Sequence, residues 1–102
     1  MVKKILIYWR DIPSQVIAQR GRKREKVMLT HRFQEAIDRA AMRAGKGSSD
    51  AYMEEWRRDT SMVEIDSDLR EFAESEAARL ESEFSDDQLT QLIRSHGNLS
   101  EQ

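Results

Sequence analysis

The N-terminal segment Lys3–Trp9 constrains the fold more than any other part of the chain. Ile5 and Ile7 share one side of an extended strand with Trp9, and Leu6 falls on the opposite side. A strand with apolar residues on both faces is typical of the interior of a sheet that is covered, at least in part, on both sides. The pattern therefore predicts a buried first strand with a neighbour on each edge.

Two more strands are predicted before the first helix. The segment 10–14 breaks the first strand, since Pro13 lacks an N–H donor and pushes Ile12 toward an extended conformation. Alternation resumes over Gln15–Arg20. Gly21 is a natural tight-turn residue, and a third short strand is expected over Glu25–Leu29. These elements form an antiparallel hairpin around the glycine.

The rest of the chain predicts four helices and a fourth strand. Apolar residues recur at helical spacing behind Ser, Thr or Asp residues that can serve as N-caps, and two of these have capping-box spacing, Asp68 with Glu71 and Ser85 with Gln88. The expected elements are a helix capped by Thr30 that runs to Ala44, a short helix capped by Ser49, a strand over 61–65, a helix over 68–83, and a helix after Ser85 that stops at Gly97.

This order predicts an α+β fold: a small antiparallel sheet of three to four strands with about four helices packed on it. At 102 residues the chain has the length of one domain. We expect residues 1–97 to form it and residues 98–102 to be a flexible C-terminal tail.

The composition excludes several classes of function. The chain has no cysteine, so disulfides, thiolate nucleophiles and cysteine-ligated metals are excluded. The apolar run at the N-terminus, Ile5–Trp9, is too short for a signal peptide or a membrane span. We therefore expect a cytoplasmic protein that does not enter a membrane.

No pattern of residues predicts a catalytic, cofactor or metal site. His31 and His96 each occupy an ordinary position at a helix end, and neither has the spacing of a metal-binding pair. The segment Gly45-Lys46-Gly47 is an incomplete phosphate-binding loop that follows a helix, where a strand is required. We predict no catalytic residue, no cofactor and no metal.

Charge is divided unequally along the chain. Residues 1–47 contain twelve Lys or Arg and four Asp or Glu, whereas residues 48–102 contain five and fifteen, for a net charge of −2 overall. The halves either neutralise each other on folding or present a basic and an acidic face to different partners. The sequence leaves both interpretations open.

The densest charge lies in the segment Arg20–Lys26, in which five of seven residues are basic. Such a segment can bind an acidic protein surface or the phosphates of a nucleic acid. Tryptophan followed by arginine also occurs twice, a pairing enriched at binding hot spots. The candidate partner-binding residues are Trp9, Arg10, Asp11, Arg20, Arg22, Lys23, Arg24, Lys26, Trp56 and Arg57.

Several motifs resemble those of the small bacterial "virulence factor" domain family. They are Ile7-Tyr8-Trp9-Arg10-Asp11-Ile12-Pro13, then Gly21-Arg22-Lys23-Arg24, then Asp50-Ala51-Tyr52 with Glu55-Trp56-Arg57. The resemblance implies a small bacterial cytoplasmic protein and carries no catalytic residues. It also implies an association with folate- and corrinoid-dependent methyl-transfer enzymes, for which the chain would be an accessory protein.

Three hypotheses follow. The first is a non-catalytic interaction or accessory protein that binds a protein partner through the basic and aromatic residues near the N-terminal strands. The alternative is a nucleic-acid-binding protein that uses Arg20–Lys26. The third is an enzyme or small-ligand binder with a pocket assembled from Tyr8, Arg10, Asp11, His31 and Glu55.

Overall fold

The computed structural model, which describes residues 1–99, has a four-stranded antiparallel sheet and four helices, so the predicted α+β fold is confirmed. Each element of the prediction is present, in the predicted order. The elements are β1 (Val2–Trp9), β2 (Ile12–Arg20), β3 (Lys23–Met28), α1 (His31–Arg43), α2 (Ser49–Met53), β4 (Trp56–Val63), α3 (Leu69–Glu83) and α4 (Asp86–Arg94).

The strand order is β3-β2-β1-β4, which places the apolar first strand in the interior of the sheet as predicted. A two-residue turn that includes Gly21, at φ +61°, joins β2 to β3. The turn between β1 and β2 contains Arg10, which has φ +55°, a value that costs a non-glycine residue about 1–3 kcal/mol. Tertiary hydrogen bonds, described below, hold Arg10 in this conformation.

The hydrophobic core lies between the helices and one face of the sheet. The sheet supplies Val2 and Leu6 of β1 and Val16 of β2, and α1 supplies Phe33 and Ile37, all nearly or fully buried. Helix α3 packs on β2 and β3, while α4 packs on α1. In residues 1–99 the layer formed by α1, α3 and α4 therefore covers one face of the sheet.

Residues on both faces of β1 are buried, in agreement with the predicted cover on both sides, but the core that α1, α3 and α4 build lies on one face. Ile5 and Ile17, on the other face, are each only 4% exposed, yet neither belongs to the core that the helices build. They lie side by side in paired strands, between Lys26 of β3 and Thr60 of β4. Long neighbouring side chains shield such residues without a second helical layer.

The predicted bounds of three strands are wrong. Strand β3 spans Lys23–Met28 and not Glu25–Leu29, because pairing of Arg20 with Lys23 starts it directly after the two-residue turn. Strand β2 starts at Ile12 and not at Gln15, because a register shift between Ile7 and Tyr8 lets Pro13 pair in the strand. A bulge tolerates a residue without an N–H donor. Strand β4 spans Trp56–Val63 and not 61–65, and it is an edge strand whose one partner among the described strands is β1.

The helix caps agree with prediction in part. Ser85 and Gln88 form the predicted capping box, and Asp68 accepts hydrogen bonds from the first turn of α3. Thr30 occupies the N-cap position of α1, but its hydroxyl donates to Glu81 (3.0 Å) and does not cap. The short helix α2 has Ser48 at its N-cap in place of Ser49, without a side-chain cap bond.

The chain continues past α4 onto the body of the domain. The backbone N–H of Leu99 donates to Asp11 (2.6 Å), so at least this part of the predicted tail, 98–102, contacts the domain. Residues 100–102 lie outside the described residues. No helix within the described range is long and apolar enough to cross a membrane.

Candidate interaction surface

The basic side chains of the β2–β3 hairpin are exposed and unpaired. Arg20, Arg22, Lys23, Arg24 and Lys26, which we call the basic hairpin, form no ion pair with any described residue. The short turn brings these five cations together because it pairs Arg20 directly with Lys23. Like charges at this spacing repel each other and favour an anionic partner.

The acidic half of the chain instead pairs with other cations. Arg32 of α1 bridges Glu81 and Asp86, each at 3.2 Å, and Lys4 of β1 binds Glu76 of α3 at 3.4 Å. The two halves therefore neutralise each other in part, through cations outside the basic hairpin.

Glu76 is the most constrained of these carboxylates. Burial raises its pKa, but the guanidinium of Arg79 at 2.8 Å and the ammonium of Lys4 outweigh that effect and hold the pKa below its ordinary value. The same pairing with Glu76 and with Glu83 raises the pKa of Arg79. This cluster is structural, since it ties β1 to α3.

Trp9 lies in the core and not on the surface. Its side chain is 0% exposed, its indole N–H donates to the carbonyl of Tyr52 (2.8 Å), and its ring stacks on that of Tyr52 at 5.9 Å. Gly97 approaches the other part of the indole so closely that a Cβ there would come within 2.9 Å of it. These contacts give Trp9 a packing role.

Arg10 and Asp11 fasten the C-terminal segment to the β1–β2 turn. Arg10 donates to the carbonyl of His96 (2.8 Å) and pairs with Glu55 at 3.2 Å. The Asp11 backbone N–H donates to the carbonyl of Gly97 (2.8 Å). Three of the candidate partner-binding residues, Trp9 included, are thus occupied by contacts within the chain.

Arg57 completes this cluster from β4. Its guanidinium donates to the carbonyl of Arg10 (2.8 Å) and to the Asp11 carboxylate (3.0 Å), and it stacks over the ring of Tyr8 at 4.3 Å. Burial and the nearby Asp59 raise the pKa of Tyr8, while Arg57 opposes the rise. Arg57 therefore combines a partly exposed position with a structural role.

Trp56 lies at the edge of a shallow groove. Its half-buried ring meets Tyr52 edge to face at 5.8 Å. The groove has a volume of about 320 Å³ and is lined by Ile7, Gln15, Met53, Trp56, Arg57 and Arg58. Of the two tryptophans, Trp56 is the one that a partner can reach.

The residues of the third hypothesis come together only in part. Arg10 pairs with Glu55, and Asp11 is linked through Arg57 to Tyr8. The charged groups of this set therefore pair with one another. No hydrogen bond or ion pair joins His31 to them in the described structure. Within residues 1–99 no group of three or more His, Asp or Glu side chains is arranged to hold a metal ion.

Sequence reasoning missed the uncovered face of the sheet. Strands β1 and β2 contribute isoleucines to this face, and strands β1, β3 and β4 contribute basic residues. Strand pairing brings these residues side by side. The alternation of β1 indicated its two apolar sides, but which side the helices would cover was not readable from local pattern.

A family model described as "Virulence factor" matches residues 7–93. The matched range begins within β1 and extends into α4, so it takes in the basic hairpin and all of the sheet from Ile7 onward. No curated protein and no solved structure matches the chain.

Proposed function

The chain belongs to the virulence factor family, and we propose that it is a non-catalytic accessory protein whose basic hairpin binds an acidic surface of a protein partner. The family description names a phenotype and no reaction. The biochemical role is therefore argued from the surface of this chain.

One observation carries the proposal: the five cations of the basic hairpin have no ion-pair partner in the described chain, although the acidic half supplies many carboxylates. Even Glu25, which lies within the segment, pairs away from it, with Arg70 at 3.3 Å. A cluster of unpaired like charges repels itself and attracts an anionic partner, whose binding would relieve that repulsion.

A protein partner fits this surface better than a nucleic acid does. The basic hairpin has no aromatic residue on which a base can stack. The chain as a whole is acidic, with a net charge of −2, and residues 48–102 would repel an extended polyanion. A small acidic patch on a protein can bind the basic hairpin without repulsion from residues 48–102.

The family resemblance indicates which partner to examine first. Folate- and corrinoid-dependent methyl-transfer enzymes are the class to test, and sedimentation velocity of this chain with a purified enzyme of that class measures the interaction directly. A complex that dissociates as salt rises supports the proposal, because charge contacts of this kind are screened.

The basic hairpin itself is tested with a defined acidic probe. We expect a fluorescein-labelled 20-residue polyglutamate peptide to bind the protein in a fluorescence anisotropy titration at low salt. The double variant Arg22→Glu/Lys23→Glu should weaken binding about tenfold or more, because two attractive contacts become repulsive.

A matched control keeps the change in net charge the same. Arg43 and Arg94 are exposed residues at the ends of α1 and α4, and neither pairs with a carboxylate in the described chain. The variant Arg43→Glu/Arg94→Glu should bind polyglutamate nearly as the wild type does. Equal weakening by the two variants would show that net charge alone drives binding and would overturn the proposal.

A nucleic-acid arm uses a labelled 20-nucleotide single strand of RNA and one of DNA. Tighter binding of either oligonucleotide than of polyglutamate, lost in Arg22→Glu/Lys23→Glu, would replace the protein partner with the alternative function.

A further inference from the structure

The sheet has one face that the core-building helices α1, α3 and α4 leave uncovered, and we call it the open face. Strand pairing places three residues of each strand on it, in rows that cross all four strands. The contacts of α3 with the sheet, Lys4 with Glu76 and Glu25 with Arg70, come from the opposite side, while Met53 of α2 borders the open face at the groove beside Trp56. The residues of the open face are Lys3, Ile5, Ile7, Gln15, Ile17, Gln19, Arg24, Lys26, Met28, Arg58, Thr60 and Met62.

The charges of the open face have a single sign. Its twelve residues include four cations and no carboxylate, and none of the four cations pairs with an acidic group in the part of the chain that the structure describes. Arg24 and Lys26 belong to the basic hairpin as well, so the open face continues the basic hairpin across the sheet. The remaining two are Lys3 of β1 and Arg58 of β4.

The centre of the open face is apolar. Ile5 and Ile17 lie opposite each other in the middle of the sheet, where neighbouring side chains shield them, and a partner has to displace those side chains to reach them. Half-buried Ile7 continues the apolar strip toward the groove beside Trp56. Met28 and Met62, at opposite corners, are 54% and 53% exposed. Methionines adapt their shape to a partner, and apolar residues surrounded by charges of one sign are typical of a binding surface.

The opposite face of the same sheet shows what kind of element packs on it. Helix α3 is amphipathic and acidic, with five glutamates and two arginines, and it buries Ala73, Ala77 and Leu80. Its Glu76 pairs with the sheet cation Lys4. Helix α3 thus packs on the sheet through apolar residues and adds a carboxylate–cation pair beside them.

We propose that the open face binds an acidic amphipathic helix of a partner protein, with an apolar side chain of that helix in the groove beside Trp56. This inference rests on the proposed function and adds the shape and the chemistry of the partner. The cations surround the apolar strip, so a helix with an apolar stripe between acidic flanks is complementary to it.

A second copy of the chain is a poorer occupant. Face-to-face pairing would set four cations against four cations. Strands about 4.8 Å apart and residues about 3.4 Å apart make the face roughly 14 Å on each side between Cα atoms. That accommodates one helix of about 10 Å diameter but falls short of the roughly 800 Å² per partner of a stable dimer.

The test uses three designed 18-residue peptides labelled with fluorescein. The first has leucines at helical spacing (i, i+3, i+4, i+7) and glutamates on the remaining surface. The second has the same composition in a scrambled order without an apolar stripe, and the third has lysine in place of glutamate. We expect the amphipathic acidic peptide to bind at least about tenfold more tightly than the other two.

Two variants separate this inference from the proposed function. Lys3→Glu/Arg58→Glu changes the open face without touching the basic hairpin, and it should weaken binding of the amphipathic peptide about tenfold. Arg43→Glu/Arg94→Glu, with the same charge change, should bind like the wild type. Thermal unfolding of both variants verifies that they fold.

The methyl resonances of the isoleucines and methionines locate the peptide. We expect shifts at Ile7, Met28 and Met62 on addition of the amphipathic peptide, with Ile37 in the core as the unaffected reference. Shifts confined to the helix side would overturn the inference.

The failures of the two proposals are distinguishable. Equal binding of the amphipathic and scrambled peptides, weakened by Arg22→Glu/Lys23→Glu alone, would contradict helix binding at the open face. The proposal that the basic hairpin binds an acidic partner would still hold. If no acidic peptide binds at low salt, both are wrong. Peptide-independent dimerisation lost in Lys3→Glu/Arg58→Glu would assign the face to a second copy, and tighter binding of the 20-nucleotide RNA would assign it to nucleic acid.

Discussion

The contact between Gly97 and Trp9 joins the C-terminal segment to the most buried aromatic residue of the sheet. Gly97 has φ +88°, and an added Cβ would lie 2.9 Å from Cζ3 of the indole. Gly97→Ala should therefore lower the free energy of unfolding by about 2–3 kcal/mol, because backbone strain and a steric clash add together. Urea unfolding followed by tryptophan fluorescence measures the loss.

Gly45 supplies the matched control for that substitution. It has φ +74°, but apart from Gly45 itself and its two chain neighbours no heavy atom of the described residues lies within 4 Å of the position that its Cβ would take. Gly45→Ala should cost only the backbone term of about 1 kcal/mol. Equal losses for the two variants would contradict a packing role for Gly97.

Glu76 makes the stability of the domain depend on acidity. Its folded-state pKa lies below the ordinary value of 4.5, since Arg79 and Lys4 outweigh the opposing effect of burial. A lowered folded pKa adds stability that is fully present above the unfolded value and is lost as pH falls through the folded value. Denaturant unfolding from about pH 5 to about pH 3 should therefore show a loss of stability that Glu76→Gln reduces.

Lys4→Gln tests the cause of that dependence while it keeps the carboxylate. Removing the ammonium takes away one of the groups that lower the pKa of Glu76, so the acid loss should shrink, though less than in Glu76→Gln. An unchanged pH profile in both variants would assign the acid loss to other carboxylates.

At the scale of elements, α1, α3 and α4 were predictable because each has a periodic apolar stripe, and α3 and α4 also begin at a side chain that caps them. The capping box of Ser85 with Gln88 could be read from a spacing of three residues. Strand β4 was not predictable over its first half, because an exposed edge strand has no alternation to read. Its segment Trp56–Thr60 is held by backbone pairing with β1, a long-range contact that no local pattern encodes.

The capping box gives a prediction for α4. Ser85 accepts from the N–H of Gln88 (3.2 Å), and Gln88 accepts from the N–H of Ser85 (2.9 Å). Ser85→Ala should lower the free energy of unfolding by about 1 kcal/mol, because one N–H of the first turn loses its partner. Ser82→Ala, at an exposed position within α3, should leave stability nearly unchanged in the same urea titration, and a similar loss there would contradict the assignment.

The candidate surface was predictable only as far as it is contiguous in sequence. The basic hairpin is a run of charges around Gly21, and its clustering is visible without a structure. Trp9 and Arg10 were also conspicuous in the sequence, but whether a tryptophan is a hot spot or core depends on contacts with Tyr52 and Gly97 from distant segments. The open face needs the register of four strands, which only tertiary pairing fixes.

At the scale of the whole molecule, the acidic half of the chain lies mainly in the helical layer, and basic residues that are unpaired in the described chain lie on the basic hairpin and the open face. Acidic helices α3 and α4 are tied to the domain by cations outside the basic hairpin, chiefly Lys4 and Arg32. Two of the hairpin cations, Arg24 and Lys26, together with Lys3 and Arg58 give the open face a basic character. Arg20 and Lys23 lie on the other face of the hairpin, where they are exposed. The fold thus separates charge between its helical layer and the open face.

This separation predicts opposite effects of charge reversal at two sites. Arg22→Glu/Lys23→Glu should leave the free energy of unfolding unchanged or raise it slightly at about 20 mM salt, because it relieves repulsion and breaks no ion pair in the described structure. Arg32→Glu should lower it by about 1–2 kcal/mol, because Glu81 and Asp86 lose their shared partner. Urea titrations at low and high salt compare the two. Suppose that the hairpin variant loses more than about 1 kcal/mol of unfolding free energy at low salt and that high salt removes this loss. The acidic half of the chain would then neutralise the hairpin cations. In that case the basic hairpin would be unavailable to a partner.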